Sequence, residues 1–203
     1  MTIAAFLGTV CEMEPRIIAR GPQILIVERD DWRAFYDAEK QALERVAGPL
    51  LLAFEHVGST AIPGLPGKPV IDILAGMKAL EDGPALADRL RASGYVPIPF
   101  RPAAPAGTSS ADAARLFFLK RPVEMPEGVD LSHPGFNIHV VPMDRFCQDD
   151  QILLRDHLRK HPELVAEYAR LKCEIVGRMA DYREYTPAKS RFIEDVLKSA
   201  RRK

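Results

Sequence analysis

The sequence predicts an α+β protein, in which a mixed β-sheet with flanking helices is followed by a bundle of helices. Short apolar runs alternate with helical patterns over the first two thirds of the chain. From about residue 148 onward, apolar side chains recur every three or four positions, which is typical of helices. The chain has 203 residues, of which 47% are hydrophobic and 28% charged, so it is long enough to bury a core.

Three segments follow from this division. We expect an N-terminal extension over residues 1–16, an α/β domain over residues 17–145, and a helical region over residues 146–203 that packs on it. The helical region carries 13 Lys and Arg against 8 Asp and Glu from residue 151 onward, whereas the first 150 residues carry 15 against 20. This asymmetry indicates two functional halves, although solvated helix faces explain it equally well.

Caps, breakers and apolar runs predict the elements of the α/β domain. Asp31 caps a helix over residues 32–47 that Gly48 ends, and a second helix begins at Asp82 and ends at Gly94. The remaining apolar runs predict strands over residues 24–27, 51–57, 70–75, 95–98, 115–120 and 136–141.

Two long loops and three helices complete the predicted organisation. Residues 100–113, rich in Pro, Ala, Gly and Ser, predict a mobile loop. Residues 122–134 predict a second long loop, and long loops inside a compact domain are often functional lids. The predicted C-terminal helices span residues 151–160, 163–179 and 186–200.

Composition excludes several classes of protein. The 28 basic and 28 acidic side chains give no net charge, which argues against a nucleic-acid-coating protein. The three cysteines form no CxxC pair, so we expect neither a disulfide framework nor a cysteine-rich zinc site. No apolar stretch approaches the roughly 20 residues of a membrane span, and the N-terminus lacks the basic region of a signal peptide. We therefore expect a cytoplasmic protein without a membrane partner.

The residues that point to chemistry lie on two consecutive predicted strands. Gly58 and Ser59 follow the strand over residues 51–57, and Asp72 lies within the next strand. A glycine at a strand end lets a phosphate approach closely, and oriented backbone amides attract anions. A carboxylate beside such a phosphate site can hold a Mg²⁺ ion that bridges to the phosphates.

This spacing resembles the signature of the nucleotidyltransferase superfamily. The run from His56 to Leu65, followed by Lys68 to Ile73, resembles the GrpB family more closely. The tail supports the same resemblance through Asp156-His157-Leu158-Arg159, Tyr168, Leu171-Lys172, Tyr185 and Lys189. The resemblance covers residues 24–200. Domains of this family occur fused to dephospho-CoA kinase, but this chain has no GxxxxGK[ST] loop and is not expected to be a kinase.

The resemblance implies a nucleotidyltransferase-like sheet with the C-terminal helices closing over the site. In active nucleotidyltransferases, two or three carboxylates hold Mg²⁺ against a nucleoside triphosphate, and an acceptor hydroxyl attacks the α-phosphorus. This chain departs from that pattern, because Leu74 stands where the second carboxylate is expected and His139 where a later strand should supply the third.

The departure leaves three chemistries open. The implied cofactor is a divalent metal ion on Asp72 and His139, Mg²⁺ or Mn²⁺, with Zn²⁺ also open because His ligands suit it. The chain is then a divergent nucleotidyltransferase. Alternatively, it binds a nucleotide, a coenzyme A-like metabolite or another phosphorylated small molecule without turnover. As a third alternative, Asp72 and His139 carry out metal-free acid–base chemistry.

The candidate site residues each have a structural alternative. Asp72 can instead pair with Lys68, His56 can be a hydrogen-bonded structural histidine, and the cations and tyrosines can be surface and core residues. The predicted catalytic residues are Asp72, His139 and His56, the phosphate-binding residues Gly58, Ser59, Thr60 and Lys68, and the substrate-binding residues Arg159, Tyr168, Lys172, Tyr185 and Lys189.

Overall fold

The computed structural model describes residues 15–21, 24–98, 115–120, 131, 133–178 and 182–202. Nearly all of the predicted N-terminal extension and of the two predicted long loops lies outside the described residues. The predicted boundary between the α/β domain and the helical region stays a prediction.

In the described part of the chain, seven strands form a hairpin and a five-stranded sheet. They are β1 (Arg16–Arg20), β2 (Leu25–Glu28), β3 (Leu51–Val57), β4 (Val70–Met77), β5 (Val96–Ile98), β6 (Leu116–Lys120) and β7 (Gly135–Pro142). Strands β1 and β2 pair as the hairpin, and the sheet has the order β3-β4-β7-β6-β5. Only β4 and β7 are parallel among its pairs. The predicted mixed sheet is therefore confirmed, and β3 has the predicted bounds.

Among the residues that the structure describes, six helices flank or follow the strands. They are α1 (Trp32–Ala47), α2 (Gly83–Arg91), α3 (Met143–Phe146), α4 (Asp150–Arg159), α5 (Pro162–Arg178) and α6 (Tyr185–Ala200). The bounds of α1 are those predicted, and Gly48 ends it with a φ of 58°, a conformation that suits glycine. Helices α4, α5 and α6 pack on one another, as predicted. None of the helices in the described part of the chain is long and apolar enough to cross a bilayer.

The two faces of β4 have different surroundings because successive side chains of a strand point to opposite faces. Ile71 and Ile73 lie in the main apolar core together with side chains of α1 and α2. Asp72 and Leu74 lie on the other face, where the register sets them opposite Asn137 and His139 of β7. The sheet thus brings together the two sequence-predicted residues Asp72 and His139.

The C-terminal helices cover the segment between β3 and β4. Ile62 and Leu65 of this segment are buried in one apolar cluster with Leu158 of α4, Tyr168 of α5 and Val196 of α6. The hairpin approaches from another side, where β1 contacts α5, and its strand β2 forms an isolated bridge to the segment. Packing on several sides holds the segment that carries the Gly-Ser pair in one conformation.

Candidate functional site

The Gly-Ser pair lies directly against the carboxylate of Asp72. Gly58 ends β3 with a φ of 72°, in the left-handed region that favours glycine. A Cβ atom at this position would lie 2.9 Å from Cγ of Asp72 and closer still to its Oδ2. Ser59 then opens a short 3₁₀ turn, Ser59–Ala61. The structure therefore brings the predicted phosphate-binding pair and the predicted catalytic carboxylate into one place.

Two side chains of β7 contact Asp72. Asn137 Nδ2 donates a hydrogen bond to Asp72 Oδ1 at 2.7 Å, and His139 Nε2 lies 3.7 Å from the same oxygen. Burial raises the pKa of Asp72, but the contacts with His139 and Asn137 outweigh burial and leave the pKa below its ordinary value. Asp72 is therefore ionised at neutral pH. Sequence reasoning missed Asn137, although it lies two residues before His139 and so on the same strand face.

His139 faces Asp72 with one ring nitrogen and has no hydrogen-bond partner for the other. Its ring packs against Phe117 with the centroids 4.8 Å apart, and its Nδ1 is buried without a partner among the described residues. A ring proton is assigned to Nε2, since that atom faces a carboxylate. The Asp72–His139 pair is thus oriented, although its side chains remain 26% and 18% exposed.

The donor set of this pair does not fit the divalent metal that the resemblance implies. Leu74, at the position of the missing carboxylate, is fully buried in an apolar cluster with Val57, Val141 and Phe146. Among the described residues, no group of three or more His, Cys, Asp or Glu side chains is placed to hold a metal ion. One carboxylate and one imidazole are a poor set of ligands for Mg²⁺, which prefers oxygen.

His56 lies on the opposite face of the sheet from Asp72. Its register partner is Ile73, and its ring stacks on Tyr36 of α1 with the centroids 4.8 Å apart. Its Nε2 is 3.0 Å from Thr60 Oγ1, whose hydroxyl donates to the carbonyl oxygen of Val70. Burial lowers the pKa of His56 to about 4, so the ring is neutral at pH 7. These contacts match the structural alternative for His56, and they make Thr60 its hydrogen-bond partner.

Lys172 of α5 fastens the Gly-Ser turn. Its Nζ donates to Ser59 Oγ at 2.8 Å and to the carbonyl oxygen of Pro66 at 2.7 Å. The side chain is fully buried, and its Nζ lies 4.5 Å from the ring centroid of Tyr168. Burial holds the pKa of Lys172 well below its ordinary value, and the nearby Lys189 lowers it further.

Lys68 and Lys189 converge on the ring of Tyr185. Their Nζ atoms lie 5.2 and 4.8 Å from the ring centroid, so they are no more than about 10 Å apart. The pKa of Lys189 is lowered to about 8. Burial is the main cause and the charge of Lys68 adds to it, whereas the charge of Asp72 opposes the shift. Three predicted lysines therefore meet at the Asp72 face, although they come from a loop, α5 and α6.

Two arginines of α4 donate hydrogen bonds to backbone carbonyl oxygens on either side of the Gly-Ser pair. Arg159, 40% exposed in its side chain, donates from Nε and Nη2 to the carbonyl oxygen of Ala61. Arg155, which sequence reasoning missed, is buried and donates to Glu55 Oε2 at 2.6 Å and to the carbonyl oxygen of His56 at 2.8 Å. Arg159 thus lies at the rim of the site rather than in its centre.

Tyr168 lies among apolar side chains. It is buried in the cluster between the helices and stacks on Phe192 with the ring centroids 4.7 Å apart. Burial raises the pKa of its hydroxyl. Tyr168 thus forms the apolar floor beneath Lys172, whereas Tyr185 lies between the other two lysines.

Comparison with known proteins gives the family of the chain. The sequence pattern of the family described as GrpB protein matches residues 23–199. The chain belongs to the GrpB family. The resemblance seen in the Gly-Ser segment and the tail is thereby confirmed, and GrpB is a family of uncharacterised function.

Curated relatives of this GrpB-family chain include proteins named after the family, proteins without a functional name and dephospho-CoA kinases. The UPF0157 protein YqkA of Bacillus subtilis is 28% identical over 88% of this chain, which spans only 47% of YqkA. The glutamate-rich protein GrpB of Alkalihalophilus pseudofirmus is 28% identical over 89% of this chain and 97% of its own length. A dephospho-CoA kinase of Mycobacterium bovis is 26% identical over 91% of this chain and 47% of its length, in agreement with the expected fusion.

A solved structure confirms the fold. The crystal structure of the conserved protein GrpB from Enterococcus faecalis matches with a TM-score of 0.66 over 85% of this chain and 93% of that chain. Its sequence identity is 22%, so the match supports the mixed sheet with its helices and nothing finer.

Proposed function

We propose that this GrpB-family protein binds a phosphorylated small molecule, a nucleotide or a coenzyme A-like metabolite, on the Asp72 face of the sheet. The phosphate group lies between the Gly58-Ser59 turn and the ammonium groups of Lys68, Lys172 and Lys189. One observation carries the proposal: Lys68 and Lys189 meet over the ring of Tyr185, while Lys172 holds Ser59 beside Asp72. Such a gathering of ammonium groups at one place suits an anionic ligand.

The electrostatics of the lysines support the same ligand. Burying like charges together is costly, and the lowered pKa values of Lys172 and Lys189 are the consequence of that burial and of their proximity. A phosphate dianion would reverse the effect, because it stabilises the charged form of each lysine. Its oxygens would also accept hydrogen bonds from the backbone N–H groups that open the Ser59–Ala61 turn.

A titration with candidate ligands tests the proposal. Purified protein is titrated in a calorimeter with ATP, GTP, CTP, UTP and coenzyme A, in Mg²⁺ and in chelator. We expect at least one ligand to bind in one of the two conditions, and Lys189→Met to weaken it at least tenfold. Lys198→Met is the matched control, since Lys198 lies on the same helix in an exposed ion pair with Asp195. Failure of every ligand to bind, or full affinity in Lys189→Met, would contradict the proposal.

A second candidate is a divergent nucleotidyltransferase, and the contact between Gly58 and Asp72 favours it. In that reaction an acceptor oxygen bonds to the α-phosphorus, the bond to the β-phosphate breaks, pyrophosphate leaves, and Asp72 takes the hydroxyl proton. Binding stands first because the low pKa of Asp72 makes its carboxylate a weak base. Pyrophosphate release that disappears in Asp72→Asn while the nucleotide still binds would establish the transferase.

A further inference from the structure

We propose that the lysine cluster of Lys68, Lys172 and Lys189 takes the place of a divalent cation, so that the site binds its phosphate ligand free of Mg²⁺. This inference rests on the proposed function and names the form of the ligand: the uncomplexed phosphate anion.

The protein already holds one oxygen of Asp72 and crowds the other. Oδ1 accepts from Asn137 and faces His139, and Oδ2 is so close to Gly58 that a Cβ there would clash with it. A hard cation such as Mg²⁺ needs several oxygen ligands in a near-ideal arrangement. The carboxylate of Asp72 therefore serves as a counter-charge to Lys172 and Lys189.

Strand β3, next to Asp72, supplies no second carboxylate that could hold a metal ion together with it. Glu55 of β3 lies on the same face, since its register partner is Leu74, but Oε2 of Glu55 accepts from Arg155 at 2.6 Å. Leu74 itself is apolar and fully buried. The place where a nucleotidyltransferase is expected to supply its second carboxylate is thus closed in this chain.

The charges of the site match an anion and repel a cation. Lys68 and Lys189 place two ammonium groups over the ring of Tyr185, where they attract a phosphate anion. Lys172 is fully buried and donates to Ser59 and Pro66, so it acts on the ligand by holding the Gly-Ser turn. A Mg²⁺ ion brought in with the phosphate would lie near these ammonium groups and be repelled.

The sign of one substitution separates the two accounts of Asp72. If lysines hold the phosphate, Asp72→Asn removes a repelling negative charge, and we expect phosphate and pyrophosphate to bind about five-fold more tightly. If Asp72 holds a metal that bridges to the phosphate, the same change abolishes binding. The amide keeps an oxygen that accepts from Asn137, and thermal unfolding verifies that the variant is folded.

The experiment is a calorimetric titration of the full chain with inorganic phosphate, pyrophosphate and ATP, in chelator and in excess Mg²⁺. We expect binding in chelator, at least tenfold weaker pyrophosphate binding in Mg²⁺, and tighter binding in Asp72→Asn. Lys189→Met is the second variant and should weaken binding at least tenfold in both conditions. Binding that requires Mg²⁺, or that Asp72→Asn abolishes in a folded protein, overturns the inference but leaves the proposed function intact. No binding in either condition overturns both.

Discussion

The Cα atom of Gly58 and the carboxylate of Asp72 are in such close contact that no other residue type fits at position 58. A Cβ there would lie 2.9 Å from Cγ and 3.0 Å from Cβ of Asp72, and closer still to Oδ2. The contact ties the end of β3 to the residue that faces the lysine cluster. It makes the Gly-Ser turn and the carboxylate one structural unit.

A pair of glycine substitutions measures this contact. Gly58 and Gly64 share a φ of 72°, but nothing lies within 4 Å of a Cβ built on Gly64. Both Gly→Ala changes carry the cost of a positive φ, and Gly58 has in addition a ψ of −169°, a combination that only glycine adopts readily. We expect Gly58→Ala to lower the free energy of unfolding by about 2 kcal/mol more than Gly64→Ala, because it adds the clash with Asp72 to this backbone cost. Urea unfolding of the two variants measures the difference, and equal losses would mean that the contact is not close.

Acid should destabilise the protein through His56. Burial lowers its pKa from 6.5 to about 4, so the unfolded chain binds a proton between these values that the folded chain does not. The stabilising contribution of the neutral ring is complete above pH 6.5 and is lost as the pH falls toward 4. Its upper limit is about 3 kcal/mol.

The pH dependence of unfolding in His56→Gln checks this. We expect a flatter fall of the free energy of unfolding between pH 6.5 and 4 than in the wild type. His161→Gln, on a side chain beside the exposed Glu163, serves as the control and should keep the wild-type slope. An unchanged slope in His56→Gln would contradict the assignment of a buried neutral ring.

The affinity for a phosphate ligand should fall as the pH rises through about 8. The groups that face Lys189 are Lys68, Asp72 and Tyr185. The pKa of Lys189 is about 8 in the free protein, and a bound anion raises it, so binding above pH 8 requires uptake of a proton. Titrations of pyrophosphate at pH 7, 8 and 9 measure the fall. Lys189→Met should remove this step, and a wild-type affinity that is constant to pH 9 would argue against an ammonium contact.

Arg155 should matter for stability, although it is remote from the ligand. Its guanidinium is buried, and it links α4 to Glu55 and to the carbonyl oxygen of His56. We expect Arg155→Met to lower the free energy of unfolding by about 2 kcal/mol, because it leaves these oxygens without their donor. Arg33→Met, which removes an exposed pair with Asp37, is the control and should have little effect. Comparable losses in the two variants would contradict the clamping role of Arg155.

Much of the fold could be predicted because local signals and packing agree. Helix α1 has an acidic start, an apolar side and Gly48 at its end, and strand β3 is a continuous run between two breakers. The proximity of Gly58 to Asp72 was also predictable. Gly58 directly follows β3, Asp72 lies on β4, and these strands form an antiparallel pair.

Other features depend on the register or on long-range contacts. The prediction did not place His56 on the face away from Asp72, because its register partner Ile73 is not evident from spacing alone. Strand β1 escaped notice because its adjacent isoleucines, Ile17 and Ile18, are both exposed and show no alternation. The roles of Asn137 and Arg155 arise from partners 65 and 100 residues away in the chain.

The most direct test of the account is a crystal structure of the protein with pyrophosphate at saturating concentration. The account predicts phosphate oxygens within hydrogen-bond distance of the Nζ atoms of Lys68 and Lys189, beside the Gly58-Ser59 turn, with no metal ion between them and Asp72. Pyrophosphate bound elsewhere, a site without ligand, or a metal ion bridging Asp72 to the phosphate would contradict it.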